Sequence, residues 1–381
     1  MALPAFAERR RAARSSSLFR LILTVCLAFC LIVAWSSTSH PRTPHHQQPR
    51  TPEQQQQPPL DINTRNQIAL SDPDTADMGQ RKLPEQQQQQ VSSPNLHMSG
   101  QGAKLPLRIV SYNIRYATTN PVKGEWPWSV RLPKLCTQLR FITAGHESPF
   151  LCLQEALYHQ VNEIQACLGA AWSHIGRGRD EDPTEGEFSP IFYRSDTWAV
   201  ERYETRWLSE TPYVPSIGWD AALNRIVTMG EFSHRVTGTR VVVISTHFDH
   251  LGVKARENSA ELLIRFADEW SRAGKFPPSV ALIGGDFNST PDDGAYKTMV
   301  APGSGMSDIS DLIPVDDHYG YRLTYTSFGE PMEGPSRIDF LFIREPRTAI
   351  VTTFGVLPNV FDDHIRTSDH RPVVSDLEII P

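Results

Sequence analysis

Six short polar segments follow one another along residues 108–376, each at the end of a run that reads as a buried strand. They are RIVSYNIRY, LCLQEA, GEFSPIFYR, VVISTHFDH, ALIGGDFNST and SRIDFLF, and SDHRPV closes the series. An apolar strand with a polar residue at its C-terminal end is how an open sheet delivers ligands to a crevice. Glu155 in LCLQEA is the carboxylate expected to hold a hard dication, which needs only one or two protein carboxylates besides water and substrate oxygens. The alternative for Glu155 is a helix-start acid stabilised by the helix dipole. Asp286 and Asn288 stand two apart, so both leave one face of an extended strand end. Asn113 is neutral and can meet a phosphate or a metal-bound water without adding charge, unless it is a strand-end turn residue. Taken in series, these groups point to a metal-dependent hydrolytic site.

The elements that must position them are legible as apolar runs. Strands are expected at 107–113, 150–154, 173–177, 188–194, 198–207, 225–234, 239–247, 279–285, 337–343, 349–356 and 372–379. VVVIS, VALIG and FLFI are unbroken, as in strands buried on both faces. Helices are expected at 131–146, 159–168, 254–273 and 292–299. In the third, Ala255, Ser259, Leu262, Leu263, Phe266, Ala267 and Trp270 make one apolar face. Two sheets face to face with helices outside them is the architecture these runs imply.

Of the 381 residues, only those from about 105 onward have the apolar content to fold. Residues 36–104 are rich in Pro, Gln and Ser and read as a disordered stalk, unable to offset its ordering entropy. Residues 1–20 carry five arginines from Arg9 to Arg20 and read as a basic cytoplasmic tail. Residues 21–35, LILTVCLAFCLIVAW, are uncharged and read as a signal-anchor, with a cleaved signal peptide as the alternative. The expected placement is therefore a single-pass type II membrane protein with residues 105–381 lumenal or extracellular, or else a secreted domain. Residues 101–381 hold 27 Lys/Arg against 36 Asp/Glu, which disfavours a general attraction to nucleic acid. Cys152 lies inside a strand and reads as inert core, and a Cys136–Cys167 bridge is one open pairing. The one Asn-x-Ser/Thr sequon is Asn288-Ser289-Thr290, inside the candidate site, so a translocated chain has to escape modification there.

Together the segments resemble the endonuclease/exonuclease/phosphatase superfamily, from about Leu107 to Leu377. The resemblance implies a four-layer α/β/β/α sandwich and cleavage of phosphoester bonds with Mg²⁺ or Mn²⁺. By the same resemblance Asp286 orients or deprotonates the attacking water, and Asn288 donates towards the charge developing on phosphorus. His370 contacts the phosphate and Asp339 orients it, while Asp369 reaches the metal or helps position the water. His247 pairs with Glu187 in a second acid–base dyad. Arg225 is a candidate for bidentate phosphate contact, the plain alternative being a surface ion pair. The boxes depart from inositol polyphosphate 5-phosphatases, since Ile283-Gly284 precedes Gly285-Asp286 and GPSRID replaces their aromatic block. Residues 176–194 look like uncharacterised microbial members. The implied substrate is a phosphodiester in a nucleotide, nucleic acid or phospholipid head group. A 3′–5′ exoribonuclease resembling deadenylases and a catalytically silent membrane-bound binding module are the alternatives. Trp207, Tyr213 and Trp219 form either an aromatic rim to the crevice or ordinary core.

Overall fold

A computed structural model of the chain describes residues 104–380, apart from 273–277, 279, 345 and 347–348. The basic tail, the apolar segment 21–35 and the stalk up to residue 103 lie outside the described residues. Among the described residues no helix is long and apolar enough to cross a membrane.

The first sheet contains β1 (Leu105–Asn113), β2 (Pro149–Gln154), β3 (Trp172–Ile175) and β4 (Ile191–Arg194). It is completed by β10 (Tyr319–Gly320), β12 (Ala349–Val356) and β13 (Val373–Ile379), in the order β10-β12-β13-β1-β2-β4-β3. The second holds β5 (Trp198–Trp207), β6 (Ile226–His234), β7 (Arg240–His247), β8 (Val280–Asp286), β9 (Met306–Asp308) and β11 (Asp339–Arg344), in the order β5-β6-β7-β8-β11-β9. Each sheet has a parallel pair at its centre, β1–β2 in one and β7–β8 in the other, with antiparallel strands on both sides.

Alternation along β1 shows why its apolar run is unbroken. Leu107 and Ile109 enter the core between the sheets with Cys152, Val243 and Leu282, whereas Val110 and Tyr112 face the outer helices. Those helices are α1 (Trp128–Thr143) and α2 (Tyr158–Leu168), which contribute Leu135, Leu139, Val161 and Ile164. On the other side α3 (Val253–Arg272) and α4 (Gly294–Met299) cover the second sheet with Leu263, Phe266, Trp270 and Met299. Two mixed sheets between helical layers give the expected sandwich. Each fully buried aliphatic or aromatic side chain contributes about 1.5–3 kcal/mol. The sheets pack tightly at Gly284: a Cβ there would lie 2.8 Å from Cβ of Cys152, so only glycine fits. Cys152 is buried, and burial pushes its thiol up to about 12.

Most boundaries lie within two residues of those expected from the sequence, and the larger differences have physical reasons. α1 starts at Trp128 rather than 131 and carries Pro133 within it, which the helix accommodates while keeping Arg131 buried. β4 starts at Ile191 rather than 188, because Pro190 has no N–H to donate and Phe188 makes only isolated bridges to Ala156 and Gly178. β9, β10 and two 3₁₀ turns at Ile309–Leu312 and Val315–Asp317 fill a stretch too short-ranged for periodicity to reveal. Cys136 and Cys167 are joined in a disulfide between α1 and α2.

Candidate active site

The strand ends meet at one rim. β1 ends in Asn113, and Glu155 directly follows β2. His247 and Asp286 stand side by side in the parallel register of β7 and β8, and Asp339 faces Asp286 across the antiparallel β8–β11 pair. Asp369 and His370 precede β13. Eight of the ten sequence-predicted residues line one open cavity of about 960 Å³, namely Glu155, Glu187, Arg225, His247, Asp286, Asn288, Asp369 and His370. Asn113 and Asp339 lie buried immediately behind it.

The Asn113 amide brackets two carboxylates. Its nitrogen donates to Glu155 Oε1 and to Asp286 Oδ2, both at 2.9 Å, while its oxygen accepts the Arg115 N–H at 3.0 Å. Glu155 also accepts from the Tyr116 N–H at 3.1 Å and lies 3.8 Å from the Arg115 guanidinium. Asn288 N–H donates to Asp286 Oδ1 at 2.9 Å. Both Arg115 and Glu155, like Asn288, have positive φ (57°, 61° and 45°), a strained backbone gathered at one place.

Two histidines flank Asp286 and differ in charge. His370 Nδ1 donates to Asp339 Oδ2 at 2.8 Å, and its Nε2 lies 3.7 Å from Asp286. Burial alone would lower its pKa, but Asp339 and Asp286 outweigh that and push it up to about 10. His247 is buried and faces the guanidiniums of Arg225 and Arg179, so it is held well below its usual value and is neutral. Its Nε2, 3.5 Å from Asp286, therefore accepts from Asn288 Nδ2 at 3.0 Å, leaving Nδ1–H towards Glu187 at 3.8 Å. Asn288 gives its other amide hydrogen to the Phe248 carbonyl at 3.0 Å. The expected Glu187–His247 pair is thus a near contact rather than a hydrogen bond. Arg179 takes the closer place, donating to Glu187 Oε2 at 2.7 Å.

Burial, then the nearby Asp339, pushes Asp286 up to about 7, and burial with Glu155 behind it raises Asp369. Burial likewise raises Glu187, with Glu155 adding to the shift. Glu155 itself is lowered: burial opposes ionisation, but Arg115 and the Asn113 amide outweigh it. Such crowding of oxygen donors suits a hard divalent cation, which would relieve the repulsion. Ligand atoms of Asp286, Asp339 and His370 also lie within 4.8 Å of one another. A protonated His370 is a poor ligand, however, which favours the Glu155 side of the cluster.

Several supports went unseen in the sequence. Arg131 is fully buried, and its guanidinium donates to the carbonyls of Ile114 (2.9 Å), Thr367 (3.0 Å), Arg115 (3.1 Å), Trp126 (3.1 Å) and Tyr116 (3.3 Å). It ties the turn after β1 to the turn before His370. Arg225 is buried, not on the surface: Nε donates to Asp249 at 3.3 Å and Nη2 meets His250 Nδ1 at 3.0 Å. None of the three proposed rim aromatics lines the cavity. Trp207 is core, with its indole N–H bound to the Arg179 carbonyl, Trp219 packs against the α3 layer, and Tyr213 stacks beside Arg206.

A strand-end constellation on this sandwich matches a family model over residues 110–370, described as the Endonuclease/Exonuclease/phosphatase family. The chain belongs to the endonuclease/exonuclease/phosphatase family. Solved family proteins from Bacteroides vulgatus and Bacteroides thetaiotaomicron are 34% and 31% identical to it. Their TM-scores are 0.63 and 0.64, each over 72% of this chain and 100% or 98% of theirs. A Bacteroides thetaiotaomicron mannosyl-6-phosphatase is 32% identical, with a TM-score of 0.63 over 71% of this chain and 99% of its own. No curated protein matches. As a member of this endonuclease/exonuclease/phosphatase family, the chain is a hydrolase of phosphoester bonds.

Proposed function

We propose that the chain is a divalent-cation-dependent phosphoesterase whose phosphate group sits between Glu155, Asp286 and His370. The observation that carries this is the Asn113 bracket: one amide holds Glu155 and Asp286 together in a cavity shared with His370, which Asp339 backs from behind. Mg²⁺ or Mn²⁺, held by Glu155 with Asp369 close by, would supply Lewis-acid charge to the phosphoryl oxygens and the attacking water. Asp286 is the carboxylate placed to accept the proton of that water. His370, kept protonated by Asp339, donates to a phosphoryl oxygen as negative charge builds. Asn288 fixes neutral His247, and one of its amide hydrogens would have to change partner to reach the phosphate.

The sequence motifs favour a phosphodiester, whereas the relative named as a mannosyl-6-phosphatase supports a phosphomonoester as well. Acidity of the domain weighs against a polynucleotide. The test is hydrolysis by the full chain of p-nitrophenyl phosphate, bis-p-nitrophenyl phosphate and poly(A), with Mg²⁺ and with EDTA. Mg²⁺-dependent turnover that is lost in Asp286→Asn supports the reading. Turnover on none of them favours a silent binding module, and preference for poly(A) favours a nuclease. The domain is further inferred to work in an oxidising compartment, lumenal or external, because Cys136 and Cys167 are bridged. Protection from added protease in sealed vesicles of the secretory pathway tests that; digestion of the domain there would count against it.

A further inference from the structure

We infer that the cavity wall built from Arg179, Glu187, Arg225 and His250 binds the hydroxyl groups of an uncharged leaving group. It would select a hexose-like alcohol over an aryl or polynucleotide one. This deepens the phosphoesterase reading and rests on it. His247 separates this wall from the phosphate position, standing 3.5 Å from Asp286 and 3.8 Å from Glu187. All four wall residues line the same cavity as Asp286 and His370, so a bound ester spans both.

Charge is matched within the wall. Arg179 is bonded to Glu187 at 2.7 Å and Arg225 to Asp249 at 3.3 Å, leaving neither guanidinium as a free cation for a second phosphate. What the wall offers instead is alternating donors and acceptors, and a hydroxyl can use both. One donor is conspicuously idle. Nη1 of Arg225 has no hydrogen-bond partner although the side chain is only 5% exposed, and Glu187 Oε2 stands 3.9 Å from it. A buried unpaired guanidinium N–H is costly, and a ligand oxygen entering between Arg225 and Glu187 would relieve it.

The wall is also preformed, which spares ordering cost on binding. Arg179 N–H donates to the Glu187 carbonyl at 3.2 Å, and its own carbonyl accepts the Trp207 indole N–H at 2.7 Å. A Cβ on Gly178 would sit 1.9 Å from the Glu185 carbonyl oxygen, so the strap from 178 to 187 closes on itself only with glycine there. Leu223, also in the lining, gives an apolar surface for the C–H face of a sugar ring.

The test compares mannose 6-phosphate, glycerol 3-phosphate, adenosine 5′-monophosphate and p-nitrophenyl phosphate on the full chain with Mg²⁺. The expected result is the highest kcat/KM on mannose 6-phosphate. Arg179→Gln is expected to lower that value at least about tenfold more than the value on p-nitrophenyl phosphate, mainly through KM, in line with the loss of buried polar pairing. Arg179→Lys, which keeps the charge but not the fork, should show a smaller loss in the same direction. Free mannose should inhibit the wild type more strongly than the glutamine variant. Equal losses on the sugar and aryl esters, equal use of glycerol 3-phosphate, or preference for the nucleotide each overturns the subsite. Absence of turnover on every ester by the wild type brings down the phosphoesterase reading and this inference with it. Turnover of the aryl ester alone sinks only the subsite.

Discussion

β1 and β2 form a parallel pair leading to Asn113 and, one residue past β2, Glu155, and β7 and β8 form another ending at His247 and Asp286. The two pairs hold their ends in place by different means. The Asn113 amide links the two, bonding Glu155 and Asp286; on the first, in addition, a buried guanidinium from the helical layer, Arg131, binds five backbone carbonyls around the rim, and a disulfide staples α1 to α2. On the second, side chains hold one another: Asn288 with His247, Arg225 with Asp249, Asp339 with His370. Backbone-braced ends suit groups that must stay still to bind a cation. Ends braced by side chains suit groups that exchange partners and protons. This division of labour yields measurable differences between the halves.

The largest effect should come from the second half. Asp286→Asn is expected to lower kcat by about 10³-fold or more, the scale of losing a positioned general base. Its melting temperature should hold or rise, because a like charge beside Asp339 is removed. A comparable loss of both stability and activity would break the comparison. In the first half the order reverses. Arg131→Met should cost about 3–5 kcal/mol by urea denaturation, since several buried carbonyls lose their donor and buried Glu125 keeps only Arg115 of its two cationic neighbours. Divalent-ion affinity measured by calorimetry should fall along with it.

Arg131 also marks the limit of what sequence could reveal. Strand-end carboxylates were readable because each closes an apolar run, and their order along the chain is itself a signature. An arginine whose hydrogen bonds all go to backbone carbonyls leaves no such trace, as those carbonyls belong to residues of any type and lie up to 236 positions away. Arg179 escaped for a related reason: it stands in the strap 178–187, where polar residues carry no period. The fold was legible where strands are buried on both faces, and illegible between α4 and β11, where two- and three-residue strands are set by tertiary pairing alone.

Opening the Cys136–Cys167 bridge, by Cys136→Ser or by reductant, should cost about 3–4 kcal/mol for a 31-residue separation. Its kinetic cost should be slight below the new melting point, because the bridge lies in the helical layer and not at the rim. A loss of turnover without a loss of stability would contradict that.

Asp339→Asn gives a modest effect at neutral pH and the most informative one. Below about 10, His370 is protonated in the native chain, and that form is lost as pH rises through the pKa. With the carboxylate gone, the alkaline fall in kcat should move down towards the ordinary histidine value near 6.5. An unmoved alkaline limb would show that His370 is not the group titrating.

Asn288 spends both amide hydrogens on Phe248 and His247 in a left-handed turn, and it heads the sequence Asn-Ser-Thr. An oligosaccharide could be linked to that nitrogen only before β7 and β8 dock, and once there it would keep their tips apart. Preparations from a glycosylating host should therefore separate on a lectin column into a sugar-bearing, inert fraction and a bare, competent one.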